Sequence, residues 1–123
     1  MKQEDKELLI KDLCARLPYG IKCHIGDNKP YTLSSVSDDY DGTIVRFKEQ
    51  KNGFNMEVYI QECKPYLFPM SSMTFEQECK YREVIESALN RYEVYDWLNK
   101  NHFDYRKLIK KSLALDATNL NIY

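Results

Sequence analysis

Apolar residues return every three or four positions near the start of the chain. Leu9, Ile10, Leu13, Cys14 and Leu17 share one helical face, which predicts an amphipathic helix over 4–17. Glu4, Asp5 and Glu7 sit in its first turn and Arg16 near its end, as the helix dipole favours. Pro18 and Gly20 stop it.

From residue 20 the period changes to two. Ile21, Cys23 and Ile25 alternate with Lys22 and His24, the pattern of a half-buried strand. Residues 26–30 read as a turn, 31–37 as a second strand and 43–48 as a third. Asp41-Gly42 and Asn52-Gly53 are hairpin signals, because a tight primed turn needs positive φ at its centre. Phe54, Met56, Val58 and Ile60 alternate cleanly in a fourth strand, and Tyr66-Leu67-Phe68 makes a short fifth beyond Pro65.

The helical period resumes after residue 73. Thr74 and Gln77 fit a capping box that opens a helix over about 75–90, with Phe75, Cys79, Ile85, Ala88 and Leu89 as its apolar stripe. Val94, Trp97 and Leu98 mark a second helix ending at 99–101. Asp104 is placed to cap a third, with Phe103 and Leu108 as its hydrophobic staple and Leu108, Ile109 and Leu113 facing inward.

These elements predict one α+β domain in three parts: an N-terminal helix (1–19), a β region (20–68) and a helical C-terminal part (69–123) of two or three helices. A meander of short strands curls to bury its apolar face. The preferred form is a small antiparallel SH3-like barrel, and the alternative is an open curled meander sheet.

With 123 residues, 43% of them apolar, the chain has material for one core. A net charge of −1 excludes a protein that wraps nucleic acid by bulk charge. The N-terminus is of mixed charge, and no run approaches the ~18 apolar residues needed to span a bilayer, so a cytoplasmic setting without membrane contact is expected. Cys14, Cys23, Cys63 and Cys79 are too scattered for a disulfide framework or a zinc site and read as reduced, buried thiols.

Little in the sequence is arranged for catalysis. Cys23 and His24 are adjacent, so on a strand they point to opposite faces and cannot share a metal. With Gly42 as the sixth loop residue, a calcium loop would place Ser37 first and Lys48 last, and both fail as ligands. There is no phosphate-cradling glycine loop and no nucleophile elbow. No cofactor, metal or enzymatic activity is expected. Binding is the better reading. From Val94 onward five basic residues stand against three acids, interleaved with Tyr95, Trp97, His102, Phe103 and Tyr105. Lys100, His102, Arg106, Lys107 and Lys110 are thus candidates for phosphate contact and base stacking, Arg106 and Lys110 sharing a face of the third helix.

Three segments, LCARLPYG at 13–20, KPYLFPMSSMT at 64–74 and DWLN with HFDYR between 96 and 106, together resemble an uncharacterised family of small proteins from gut anaerobe genomes and their prophages. Ser112 departs from the Gly of that pattern. The resemblance implies a bacterial or phage origin and a cytoplasmic setting, and it brings no catalytic residue. Both the 13–20 and 64–74 segments reverse the chain at proline corners. They are expected to pack together with Tyr19 and Tyr66 at the join, where Arg16, Tyr19, Tyr66 and Arg106 would contact a ligand. The expected function is non-catalytic binding of a protein partner, as an accessory regulator of a mobile element. The alternative is nucleic-acid binding by the C-terminal basic–aromatic residues.

Overall fold

A computed structural model of the chain describes residues 1–27, 29–40, 42–48 and 56–123. Helix α1 (Gln3–Arg16) lays Leu9 and Leu13 into the core. A single 3₁₀ turn, Leu17–Tyr19, carries Pro18, and the chain then reverses at Gly20, whose φ of 69° is the left-handed conformation glycine adopts without steric cost. Cys14 turns outward rather than joining the apolar face, and Cys79 is also exposed. Cys23 and Cys63 are the thiols that pack inside, where burial and the adjacent Cys63 push the Cys23 thiol up and keep it protonated.

Strands β1 (Lys22–His24), β2 (Tyr31–Asp39), β3 (Gly42–Phe47) and β4 (Glu57–Tyr59) form an antiparallel meander. Asp39 pairs with Gly42, as a reversal at 41–42 requires, although Asp41 itself lies outside the described residues. The Asn52-Gly53 reversal and Phe54 also lie outside them. Its consequence, β3 antiparallel to β4 with Val45 opposite Val58, is present. Alternation sorts the side chains as expected: Thr43, Val45 and Phe47 are buried and Arg46 is exposed.

A 3₁₀ turn at Ile60–Glu62 then returns the chain to the far side of the sheet. There β5 (Lys64–Pro69) pairs with β1, Cys23 opposite Pro65. Two short C-terminal strands, β6 (Phe103–Asp104) and β7 (Leu115–Asp116), add in parallel to β5. The strand order β4-β3-β2-β1-β5-β6 does not close. The sheet is therefore the curled, open form of the α+β expectation and not a closed barrel. Its β5 edge is covered by the C-terminal segment instead of by β4. One contiguous core joins α1, the sheet and residues 108–114.

Two α-helices follow β5. The capping box of α2 (Phe75–Ser87) is present in both directions, Gln77 N donating to Thr74 Oγ1 at 3.2 Å and Thr74 N to Gln77 Oε1 at 2.9 Å. The expected apolar stripe of this helix faces solvent except at Ala88: Phe75 is 79% exposed and Leu89 90%. The half-buried positions are Gln77, Tyr81, Val84 and Ala88, because Tyr81 stacks on Trp97 of α3 (Arg91–Lys100), ring centroids 5.7 Å apart. Asn90 caps α3 by accepting from Tyr92 N and Glu93 N.

The expected third helix is reduced to one turn. Asp104 does cap it, accepting from Leu108 N and Ile109 N at 2.9 Å. Lys107, however, has φ 62°, which prevents a helix from running through 105–108. The turn closes at once as a Schellman motif: Leu113 N bonds to Leu108 O, Ser112 N bonds to Ile109 O, and Ser112 takes the left-handed position at φ 62°. That position is where a glycine is least strained. Ser112→Gly is therefore expected to stabilise the fold by about 0.5–1 kcal/mol, measured by urea denaturation. A loss of stability would contradict the strained geometry.

Among the described residues, no helix is long and apolar enough to cross a membrane.

Candidate functional site

Asp12 and Arg16 stand one turn apart on the inner face of α1, and both are fully buried. Burial of two opposite charges is tolerable only when each is closely satisfied. Arg16 Nε donates to Asp12 Oδ1 at 3.1 Å and Oδ2 at 3.0 Å, and Arg16 Nη2 donates to the Phe103 carbonyl at 2.6 Å. Arg106 reaches the same carboxylate, Nη1 to Oδ1 at 2.7 Å. One carboxylate thus holds two guanidiniums, and the second arrives from 94 residues away. The contact ties α1 to the segment that follows β6.

Tyr105 organises the neighbourhood. The Arg106 guanidinium lies over its ring at 4.4 Å and the Arg16 guanidinium at 5.5 Å. Its hydroxyl donates to Asn99 Oδ1 at 2.9 Å, and Tyr95 stacks parallel to it, centroids 5.1 Å apart. Burial raises the Tyr105 phenol above its ordinary range. Nearby, the Tyr19 hydroxyl donates to Asp96, a bond that raises its phenol too.

Above this cluster lies a cleft of about 540 Å³. Leu8, Lys11 and Ala15 of α1 form part of its lining, Tyr92, Tyr95, Asp96 and Asn99 of α3 another part, and Tyr105 and Arg106 the rest.

The structure divides the eight residues expected at a binding site among three places. Arg16, Tyr19 and Arg106 come together around the α1–α3 cleft, Arg16 behind it and Tyr19 through Asp96. Tyr66 and His102 lie elsewhere, gathered on Tyr123. The Tyr123 hydroxyl donates to the Tyr66 carbonyl at 2.8 Å, and its ring stacks on His102 at 3.9 Å. The segments around Tyr19 and Tyr66 adjoin through the β1–β5 pairing, but the two rings take different partners, Tyr66 meeting His24 edge-on. A common Tyr19–Tyr66 join is therefore corrected to two separate sites. Lys100, Lys107 and Lys110 point outward. Arg106 and Lys110 do not share a helical face, because no helix forms there and Arg106 turns inward to Asp12.

His102 is buried with φ 62°, and among the described residues its Nδ1 has no hydrogen-bond partner. Burial, together with the positive charges of Arg16 and Lys22, lowers its pKa from 6.5 to about 4. Between those values the unfolded chain binds a proton that the folded chain refuses. Stability is therefore full above 6.5 and declines as pH falls towards 4. Asn tolerates the left-handed backbone, so in His102→Asn this part of the acid slope is expected to vanish when urea midpoints at about pH 7 and about pH 5 are compared. An unchanged slope would contradict a buried, neutral imidazole.

The residues that sequence reasoning missed are Asp12, Lys11, Tyr92 and Asn99. Asp12 did leave a signal. It lies between Leu9 and Leu13 on the apolar face, four residues before Arg16, where an isolated charge would be costly and a pair is tolerated. Comparison of the chain with protein-family models, with curated proteins and with solved structures gives no match.

Proposed function

We propose that the protein is a non-catalytic binding protein whose α1–α3 cleft receives a protein partner. The observation that carries this reading is the cleft's composition. Three tyrosines line a concave site whose base is fixed by the Asp12–Arg16–Arg106 cluster. Tyrosine suits a docking surface, since it brings a large apolar area and a polar end at little entropic cost. The carboxylates that acid–base chemistry would use are already engaged, Asp12 by two arginines and Asp96 by Tyr19. This supports recognition over turnover.

The resemblance to small prophage-borne proteins makes an accessory regulator of a mobile element, acting in the cytoplasm, the natural setting for such a module. The return of β5 to β1 after a four-strand meander supports an SH3-like reading of the sheet, opened at β4. The nucleic-acid alternative has less support, because Arg106 serves Asp12 and the outward lysines are not aligned on one helix.

The test is affinity capture from an extract of the native cell with the wild-type protein, Tyr92→Glu in the cleft, and Lys110→Glu away from it. A partner held by wild type and Lys110→Glu but lost with Tyr92→Glu is the expected result. Loss with Lys110→Glu alone, or release of the partner by nuclease, would overturn the reading.

A further inference from the structure

The charges around the cleft do not balance. Lys11, Arg16 and Arg106 bring three cations, while Asp12 and Asp96 bring two carboxylates. Lys11 and Arg106 line the cleft itself, and Arg16 lies fully buried behind it. A second observation points the same way. Among the described residues, the buried Arg16 Nη1 has no acceptor, so the guanidinium pair retains an unmet N–H donor. Arg106 itself is only 14% exposed, its guanidinium carbon 4.4 Å from the centre of the Tyr105 ring. Its hydrogen bond to Asp12 uses one of the five N–H donors a guanidinium carries.

We infer that the cleft recognises an acidic side chain of the partner: a carboxylate held by Arg106 and Lys11, its stem lying along the wall that Tyr92 and Tyr95 form. This inference rests on the reading of the cleft as the docking site and names what it recognises there. A carboxylate matches the planar donor fork of Arg. The surroundings favour a single anion over a chain of them. Lys11 and Arg106 are the cations of the cleft lining and Asp96 its carboxylate. A polyphosphate backbone would outnumber those two cations and meet Asp96 as well. A peptide with one acidic residue among neutral or basic ones would not.

The probe is N-acetyl-glutamate amide, titrated into the full-length protein and followed by amide NMR shifts, with N-acetyl-glutamine amide and a twelve-residue oligothymidylate as comparisons. Saturable shifts confined to residues 8–16, 92–99 and 105–106 are expected with the glutamate derivative alone. Lys11 is exposed, so Lys11→Gln should fold normally and bind about tenfold more weakly. Arg106→Lys keeps a cation beside Asp12 but loses the fork, and should weaken binding to a similar degree. Equal response to the glutamine derivative, no saturable response to glutamate, or undiminished binding by Lys11→Gln would overturn the inference. So would tighter binding of the oligothymidylate in the cleft. If the glutamate derivative fails while partner capture still depends on Tyr92, the docking site stands and only its anion preference falls.

Discussion

Asp12→Asn is expected to cost about 3–5 kcal/mol of folding stability, because it removes the one carboxylate that two guanidiniums share. Asn keeps the shape of the side chain, so little of that loss would come from packing. It would come from leaving Arg16, fully buried, beside Arg106 with no negative charge between them. The ground for so large an effect is the asymmetry of buried ion pairs. Forming one gains little over an apolar replacement, but breaking one strands a desolvated charge. The corresponding triple change, Asp12→Leu with Arg16→Met and Arg106→Met, is therefore expected to recover most of the stability lost by Asp12→Asn. Urea denaturation of the two variants checks both statements. A loss below about 1 kcal/mol for Asp12→Asn would mean that the cluster reaches water and behaves as a surface pair.

Phe103→Ala is the second large effect, expected at about 3–5 kcal/mol. Phe103 is almost fully buried where three parts of the molecule meet. Its ring lies 5.8 Å from that of Trp97 on α3 and 6.2 Å from that of Phe68 on β5. Its residue pairs with Phe68 in the sheet, and its carbonyl accepts from Arg16. Truncation to Ala leaves a cavity that these elements cannot close without moving α3, a wall of the cleft. Phe75 provides the control. It is the same residue type but 79% exposed on α2, and Phe75→Ala is expected to change stability by no more than about 0.5 kcal/mol. The single tryptophan, Trp97, stacks against Phe103 and so reports unfolding directly by fluorescence. Equal losses from the two truncations would contradict the burial pattern.

Much of the scaffold was legible because local chemistry decides it. Pro18 and Gly20 end α1, Thr74 and Gln77 start α2, and strict alternation sorts Val45 from Arg46. The parts that were not legible depend on partners distant in sequence. The face of α2 was misread because Phe75, Ile85 and Leu89 are more apolar than Tyr81. What decides that face is the stacking of Tyr81 on Trp97, and no periodicity encodes it. The third helix was misread because the cap at Asp104 is real, yet the backbone turns left-handed at Lys107 and again at Ser112. Of the binding site, Arg16, Tyr19 and Arg106 were identified from sequence. The residue that joins two of them was not. Asp12 reads as one more charge on a charged helix until Arg106 is seen to reach it from the other end of the chain.

Protection of the partner-bound protein from amide hydrogen exchange tests most directly whether the α1–α3 cleft is where recognition happens. Slowed exchange on complex formation is expected at 8–16, 92–99 and 105–106, with the exposed face of α2 unchanged. Protection centred on Phe75 to Leu89, or on the outer edge of β4, with the cleft residues exchanging as before, would place the partner elsewhere and contradict the assignment.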